Sequence, residues 1–283
     1  MSRAAVSRLD KPSVVGKLNP VPDVAVRLMS LVSSDDVVFR RVAELIRCDP
    51  AFSAEVLKLA NSPLLGCRQN VYSILHGVAL LGLDRLKSLV MMVALRNFLS
   101  STLQVPVLLR CWRHSLACAL LSEELGAAAW LNKDQCYSAG LLHDIGRLSL
   151  LATFPGEYAG ILERVDETDE DLLERECELF GADHCDVGMW IVQDWGLPPE
   201  FEEITGRHHA PRGAHRFDLV EAARLACRLA DTLGFQVAGT TPLAPLDEVL
   251  VGLPQEAREK LGPEDTMFNR LVERINALEC SLA

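Results

Sequence analysis

The sequence predicts an all-α protein, an N-terminal helical bundle packed on a second helical block, and three observations carry that expectation. Apolar residues recur at helical spacing almost throughout, and no Asn-Gly or Asp-Gly hairpin signal separates two alternating runs. Helix punctuation is frequent, with starts such as Asp49-Pro50 and stops such as Gly82 and Gly196-Leu197-Pro198. The 283 residues are 49 % apolar and 24 % charged, the composition of a folded chain with a sizeable core.

Asp35 and Asp36 cap a helix carrying Val42, Leu45 and Ile46, and Asp49-Pro50 opens the next, with Phe52, Val56, Leu57 and Leu59 inward until Asn61-Ser62-Pro63 ends it. A third helix holds Ile74, Val78 and Leu81 and stops at Gly82; a fourth spans 84–99. This fourth helix is apolar on nearly every side, through Leu89, Met91, Met92 and Val93, so the first bundle should pack against the second block. After a short connector at 100–106, helices are expected near 107–128, 133–151, 157–164, 169–180, 183–194, 199–209 and 218–233. A last segment, 236–283, repeats a proline-then-helix pattern at Pro245, Pro254 and Pro263 and reads as a helical cover.

A net charge of -11 opposes loose attachment to nucleic acid or anionic membrane, so no direct nucleic-acid binding is expected. No apolar run reaches the roughly 18 residues of a membrane helix. The first eleven residues carry Arg3, Arg8 and Lys11 with no apolar stretch behind them, so no secretory signal and a cytoplasmic location are expected. Nine cysteines without a C-x-x-C pair point to reduced, buried thiols.

The chemistry concentrates in the second block. His114, His143, His184, His208 and His209 stand where a helix turns them inward, and His143 is followed by Asp144 in an otherwise apolar stretch. A buried carboxylate needs a metal, a cation or several donors, and Asp231 near the end of an apolar helix poses the same demand. Each residue alone has a plain reading: a core histidine hydrogen-bonded locally, or Asp231 paired with Arg228. Together they offer N and O ligands for two divalent ions, with Fe, Mn, Mg, Co and Zn all compatible and Asp144 able to bridge. A narrower alternative is a zinc site on Cys111, His114 and Cys118, which share a helix face. Arg147, three residues after Asp144, together with Arg207, Arg212 and Arg216, is expected to form a basic patch beside the cluster that could clamp phosphate.

The order His114, His143-Asp144, Asp231 resembles the HD superfamily of metal-dependent phosphohydrolases, and more specifically the bacterial HDOD family, the HD-related output domain. The stretches that carry the resemblance are Cys48-Asp49-Pro50-Ala51-Phe52, Leu57-Lys58-Leu59-Ala60-Asn61-Ser62, Ala79-Leu80-Leu81-Gly82, Trp112-Arg113-His114-Ser115, Gly140-Leu141-Leu142-His143-Asp144-Ile145-Gly146 and Trp195-Gly196-Leu197-Pro198. It implies an N-terminal tail at 1–16 and an HDOD domain at 17–235, made of an N-terminal helical bundle (17–105) packed on an HD-type helical domain (106–235), with the C-terminal segment beyond.

It also implies a signalling or regulatory role, with other signalling proteins or a nucleotide as partners. Beside the related HD-GYP cyclic dinucleotide phosphodiesterases, His184, His208, His209 and Asp231 stand at the places of the remaining metal ligands. The GYP signature is missing, since Ala210-Pro211-Arg212-Gly213-Ala214-His215-Arg216 follows His209, and Arg147 replaces the usual lysine. Two functions are therefore expected in competition: a regulatory module with a metal site, and an active phosphohydrolase with Asp144 and Arg147 as its catalytic pair.

Overall fold

The computed structural model describes residues 14–17, 39–47, 50–61, 71–99, 105–168, 171–210, 217–238, 244–251, 253 and 255–282. Among them there is no strand, and the protein is all-α. The expected caps Asp35, Asp36 and Asp49, and the arginines Arg212 and Arg216, lie outside the described residues.

The first helices are α1 (Phe39–Arg47), α2 (Pro50–Ala60) and α3 (Ile74–Leu99). Val42, Ile46, Phe52, Val56, Val78 and Leu86 are buried between them. The expected stop falls at Gly82: α3 is two helical segments meeting at a kink there, where Gly82 takes the non-helical φ 73°, ψ 167°, a conformation costly to residues with a Cβ. Beyond it, Leu89, Val90, Met91, Met92 and Val93 are all buried. Met92 accepts a hydrogen bond from Tyr137 and the Ser88 hydroxyl reaches the Asp134 carbonyl, so the all-round apolar character of this helix is spent against the second block.

That block comprises α4 (Pro106–Ala128), α5 (Lys133–Leu142), α6 (Ile145–Thr153), α7 (Pro155–Thr168), α8 (Leu172–Phe180), α9 (His184–Asp194), α10 (Pro199–Arg207) and α11 (Leu219–Thr232). Side-chain caps set four of the starts: Asn132, Asp171, Asp183 and Asp218 each accept from backbone N–H groups of the first turn. The long helix expected at 133–151 is a correction. It is two helices, α5 and α6, with His143 closing the first and Asp144 preceding the second. His208 and His209 likewise follow the end of α10 rather than lying within a helix to 209.

Two glycines explain how the helices around that break come so close. A Cβ on Gly140 would overlap the Cys118 carbonyl oxygen of α4, and one on Gly146 would overlap the His184 carbonyl oxygen of α9. No side chain fits either contact. The two residues flanking His143-Asp144 thus clamp the break between α4 on one side and α9 on the other. Over α4 lie α12 (Leu246–Val249), α13 (Gln255–Leu261) and α14 (Glu264–Leu282), of which α13 and α14 touch it directly. Arg270 and Arg274 of α14 pair with Glu124 of α4, and Arg274 also with Glu123.

Gly146→Ala should lower stability by about 2–3 kcal/mol, because the obstacle is backbone and cannot rotate away. An unchanged urea midpoint would show that α6 and α9 can separate freely.

Candidate metal centre

The helices bring five imidazoles and two carboxylates into one cluster. Ring centroids lie 5.5 Å apart for His114 and His143, 4.9 Å for His143 and His208, 5.4 Å for His184 and His208, and 4.2 Å for His208 and His209. His114 comes from α4, His143 from the end of α5, His184 from the start of α9 and the pair His208-His209 from the turn after α10. Asp144 stands at the centre, its Oδ1 3.2 Å from His208 Nε2 and 3.3 Å from His184 Nε2, its Oδ2 3.8 Å from His143 Nε2 and 4.0 Å from His114 Nε2. Asp231 of α11 sits at the rim, one-third exposed, with Oδ1 3.6 Å from His114 Nδ1.

Four of these rings are oriented by the same device. Nδ1 donates to the Phe235 carbonyl in His114 (2.7 Å), to the Gly140 carbonyl in His143 (2.7 Å), to the Thr205 carbonyl in His208 (2.9 Å) and to the Glu176 carboxylate in His184 (2.6 Å). A neutral imidazole that donates at Nδ1 must present a lone pair at Nε2. When neutral, all four rings therefore turn Nε2 lone pairs into one buried space that also contains a carboxylate. His184 and His208 face each other Nε2 to Nε2 at 3.4 Å, an arrangement that requires a positive charge between or beside them.

Three buried atoms in this space, His143 Nε2, Asp144 Oδ1 and Arg147 Nε, have no hydrogen-bond partner. Buried polar atoms are rarely left so. Histidines with fixed Nδ1 donors and Nε2 free are the usual arrangement of metal ligands, so the residues fit a divalent cation. The donors form three groups within coordinating reach: His114, Cys118, His143 and Cys227; His184, Cys185, His208 and His209; and His143, Asp144 and His208.

In the protein alone, two other sources of positive charge serve the cluster. Arg147 Nε lies 2.9 Å from Asp144 Oδ2 and its Nη2 donates to His184 Nε2 at 3.0 Å. Burial would raise the Asp144 carboxyl, but Arg147 foremost, then His143 and His208, outweigh it and hold it well below the usual range. His114 is the second source: burial works against its charged form, yet Cys227, Asp231 and Asp144 push it up to about 9. Burial and the neighbouring Cys227 raise Asp231 to about 7. His114 and Asp231 thus hold protons more readily than usual, and a divalent ion bound there would displace them.

The cavity measures about 520 Å3 and is lined by His114, Arg147, His184, His208, His209, Asp231 and, on its outer wall, Arg224 and Arg228. Of the expected basic patch, Arg147 lines the cavity, and Arg212 and Arg216 lie outside the described residues. Arg207 is exposed and paired with Glu203, and it is Arg224 and Arg228 of α11 that edge the opening. Arg224 is held bidentately by Glu221. The plain alternative, Asp231 paired with Arg228, does not hold among the described residues, where Asp231 approaches His114.

Sequence reasoning passed over two contributors, Glu176 and Cys227, and placed Cys118 with a different thiol. Glu176 of α8 is fully buried and accepts from the His184 backbone N–H (2.8 Å), from its Nδ1 and from the Tyr158 hydroxyl. Its position in Glu174-Arg175-Glu176-Cys177-Glu178 gives no sign of burial, since four of the five are polar. Cys118 and Cys227 put their sulfurs 3.4 and 3.6 Å from His114 Nε2. The expected thiol partner of Cys118 is Cys111; the second thiol near His114 comes from α11 instead, and only the shared helix face of His114 and Cys118 is legible in the sequence.

An HDOD domain model matches residues 18–211. The chain belongs to the HDOD family. An HDOD domain protein from Geobacter sulfurreducens is 27 % identical with a TM-score of 0.69, covering 95 % of this chain and 92 % of that one. A protein of Shewanella amazonensis described as a candidate metal-dependent phosphohydrolase is 25 % identical with a TM-score of 0.62, covering 94 % and 92 %. A second Shewanella amazonensis protein, 24 % identical with a TM-score of 0.70 and covering 96 % and 97 %, shares the fold. Among curated proteins no match was found. Among the described residues of this HDOD protein, no helix is long and apolar enough to cross a membrane.

Glu176 supplies a pH test. Burial pushes its carboxyl up, but His184, Arg147 and Tyr158 together hold it below 4.5. A carboxyl depressed in the folded state stabilises at pH above its unfolded value, and that contribution disappears as pH falls through the folded one. Stability should therefore drop steeply below about pH 4.5, from Glu176 and Asp144 together. In Glu176→Gln the neutral-pH stability should fall by about 2–3 kcal/mol and the acid limb should flatten. Parallel acid limbs in denaturant titrations of the two proteins would remove Glu176 from this role.

Proposed function

We propose that the chain is a bacterial signal-transduction or regulatory HDOD protein with a divalent-metal site of HD type, whose cavity recognises a small anionic ligand rather than turning it over. The observation that carries this reading is the seat of Arg147. Its guanidinium lies on Asp144 Oδ2 and on His184 Nε2, two of the donors that a pair of hydrolytic ions would share. A bridging carboxylate must have both oxygens available, and arginine neither gives up a proton readily nor moves aside without leaving Asp144 buried and uncompensated.

The residues that would hold metal are His114, His143, Asp144 and Asp231 at one end and His184, His208 and His209 at the other. A divalent ion there supplies Lewis acidity and lowers the pKa of a bound water. The chain's own groups do the rest. Gly140 and Gly146 set the spacing, the carbonyls and Glu176 fix the imidazoles, and Arg224 and Arg228 at the opening face an incoming anion. Arg228 has no ion-pair partner among the described residues, which leaves it the better phosphate clamp of the two. A cavity of about 520 Å3 suits a nucleotide-sized ligand. Relay to other signalling proteins accords with the family, and a cytoplasmic setting with the reduced thiols.

A second reading, an active phosphohydrolase or phosphodiesterase, is favoured by the retained donors Asp144, His184, His208 and His209, and by the likeness to the Shewanella amazonensis protein described as a candidate metal-dependent phosphohydrolase.

Arg147→Ala separates the two. If Arg147 is the resident cation on Asp144, its removal should destabilise the metal-free protein by about 3 kcal/mol, and affinity for Mn2+ measured by calorimetry should rise about tenfold, the factor that a 1.4 kcal/mol change confers. Unchanged Mn2+ affinity would sink the regulatory reading's central argument. Turnover of a chromogenic phosphodiester by metal-loaded wild-type protein, lost in Asp144→Asn, would decide for hydrolysis.

A further inference from the structure

One end of the cavity differs in chemistry from the rest. His114 and Cys118 lie four residues apart on one face of α4, Cys227 reaches across from α11, and His143 closes the group from the end of α5. The two histidine nitrogens and two sulfurs lie within 4.8 Å of one another, and all four residues are buried. His114 Nε2 is 3.4 Å from Cys118 Sγ and 3.6 Å from Cys227 Sγ.

Buried cysteines usually act as small apolar side chains, which need no nitrogen acceptor. Here both sulfurs crowd the same imidazole nitrogen, and the buried His143 Nε2 beside them has no hydrogen-bond partner. Three different helices contribute, so the grouping is no accident of a single helix face. Two imidazoles and two thiols are the donor set of four-coordinate zinc, whereas the carboxylate and imidazoles at the other end suit harder ions.

We propose that His114, Cys118, His143 and Cys227 form a closed, thiolate-containing zinc site that ties α4, α5 and α11 together. This deepens the metal-binding reading above and rests on it, but gives His114 and His143 to the zinc with Cys118 and Cys227 in place of Asp144 and Asp231, which leaves Asp144, His184, His208 and His209 as the HD-type donors. Four protein ligands leave no open coordination position, so this ion is structural and supplies no activated water. Zinc binds the two sulfurs as thiolates, so their protons leave to solvent when the divalent ion binds. The redox state of sulfur does not change.

The test uses the full chain, stripped of metal by a chelator under reducing conditions and reloaded with Zn2+ or Co2+ alone. Cobalt-loaded wild-type protein should show a near-ultraviolet thiolate-to-cobalt charge-transfer band together with the strong visible absorption of tetrahedral cobalt. In Cys118→Ser and Cys227→Ser the band should weaken, vanish in the double variant, and the affinity for cobalt at this site should fall at least tenfold. Far-ultraviolet circular dichroism checks that the variants fold. A measurement on the wild type alone stands beside them: X-ray absorption of the protein holding one equivalent of zinc should show sulfur scatterers at about 2.3 Å in addition to nitrogen at about 2.0–2.1 Å. Metal bound with only nitrogen and oxygen neighbours, or a charge-transfer band that survives the double variant, overturns the thiolate site and leaves the HD-type metal reading standing. Failure to bind either ion overturns both.

Discussion

Asp144 is a carboxylate with almost no access to water, placed at a break between two helices and surrounded by imidazoles. An isolated charge there would be prohibitively costly, and much of the surrounding architecture consists of the means to compensate it. Gly140 and Gly146 allow α4 and α9 to press against the break from either side, which brings His114 and His184 into range. Arg147, one turn into α6, reaches back to the same carboxylate. Were the break to straighten, Asp144 would rotate with α5 and the convergence of charges around it would be lost.

The break also solves a problem of helix ends. The last carbonyls of a helix lack intrahelical partners. In α5 the Gly140 carbonyl receives the Nδ1–H of His143, and in α10 the Thr205 carbonyl receives that of His208, each three residues on. One contact caps a helix and sets a tautomer. It leaves each Nε2 directed away from the helix end and toward Asp144. Glu176 does the same for His184 with a carboxylate in place of a carbonyl, a stronger acceptor that makes that imidazole more electron-rich than its neighbours.

The sequence pattern made the helices and the histidines legible, because apolar spacing and helix stops are local signals and because inward imidazoles on successive helices are unusual. It did not show the break at His143-Asp144. The stretch from Lys133 to Leu151 has no glycine-proline punctuation, and Gly140 and Gly146 read as tolerated helix residues rather than as points of backbone contact. Glu176 was hidden for a related reason: its burial comes from packing of α8 against the His184 turn, with no trace in its neighbours. Cys227 looked like one more apolar helix residue, since nothing along α11 announces that it faces α4. These features are long-range pairings, and a single chain read in order carries little information about them.

The cavity that results is polar in a directional sense. Sulfur lies at the α4–α11 wall, the carboxylate and Arg147 at the centre, the paired histidines His208 and His209 beyond, and arginines at the opening. Arg147, His114 and His143 all approach Oδ2 of Asp144, while Oδ1 faces His184 and His208. That division assigns different work to the two ends. The sulfur end joins helices that are far apart in sequence, while the histidine end, where His209 is exposed, stays accessible to ligand. A ligand anion entering past Arg228 would meet the face of Arg147 that Asp144 does not occupy. Because Arg147 also donates to His184, and His184 is held by Glu176, displacement of that guanidinium would be felt directly in α8 and α9. The chain of contacts Arg147, His184, Glu176, Tyr158 thus runs from the cavity to the packing between α7 and α8, the route by which a ligand of the proposed kind would be felt in the outer helices.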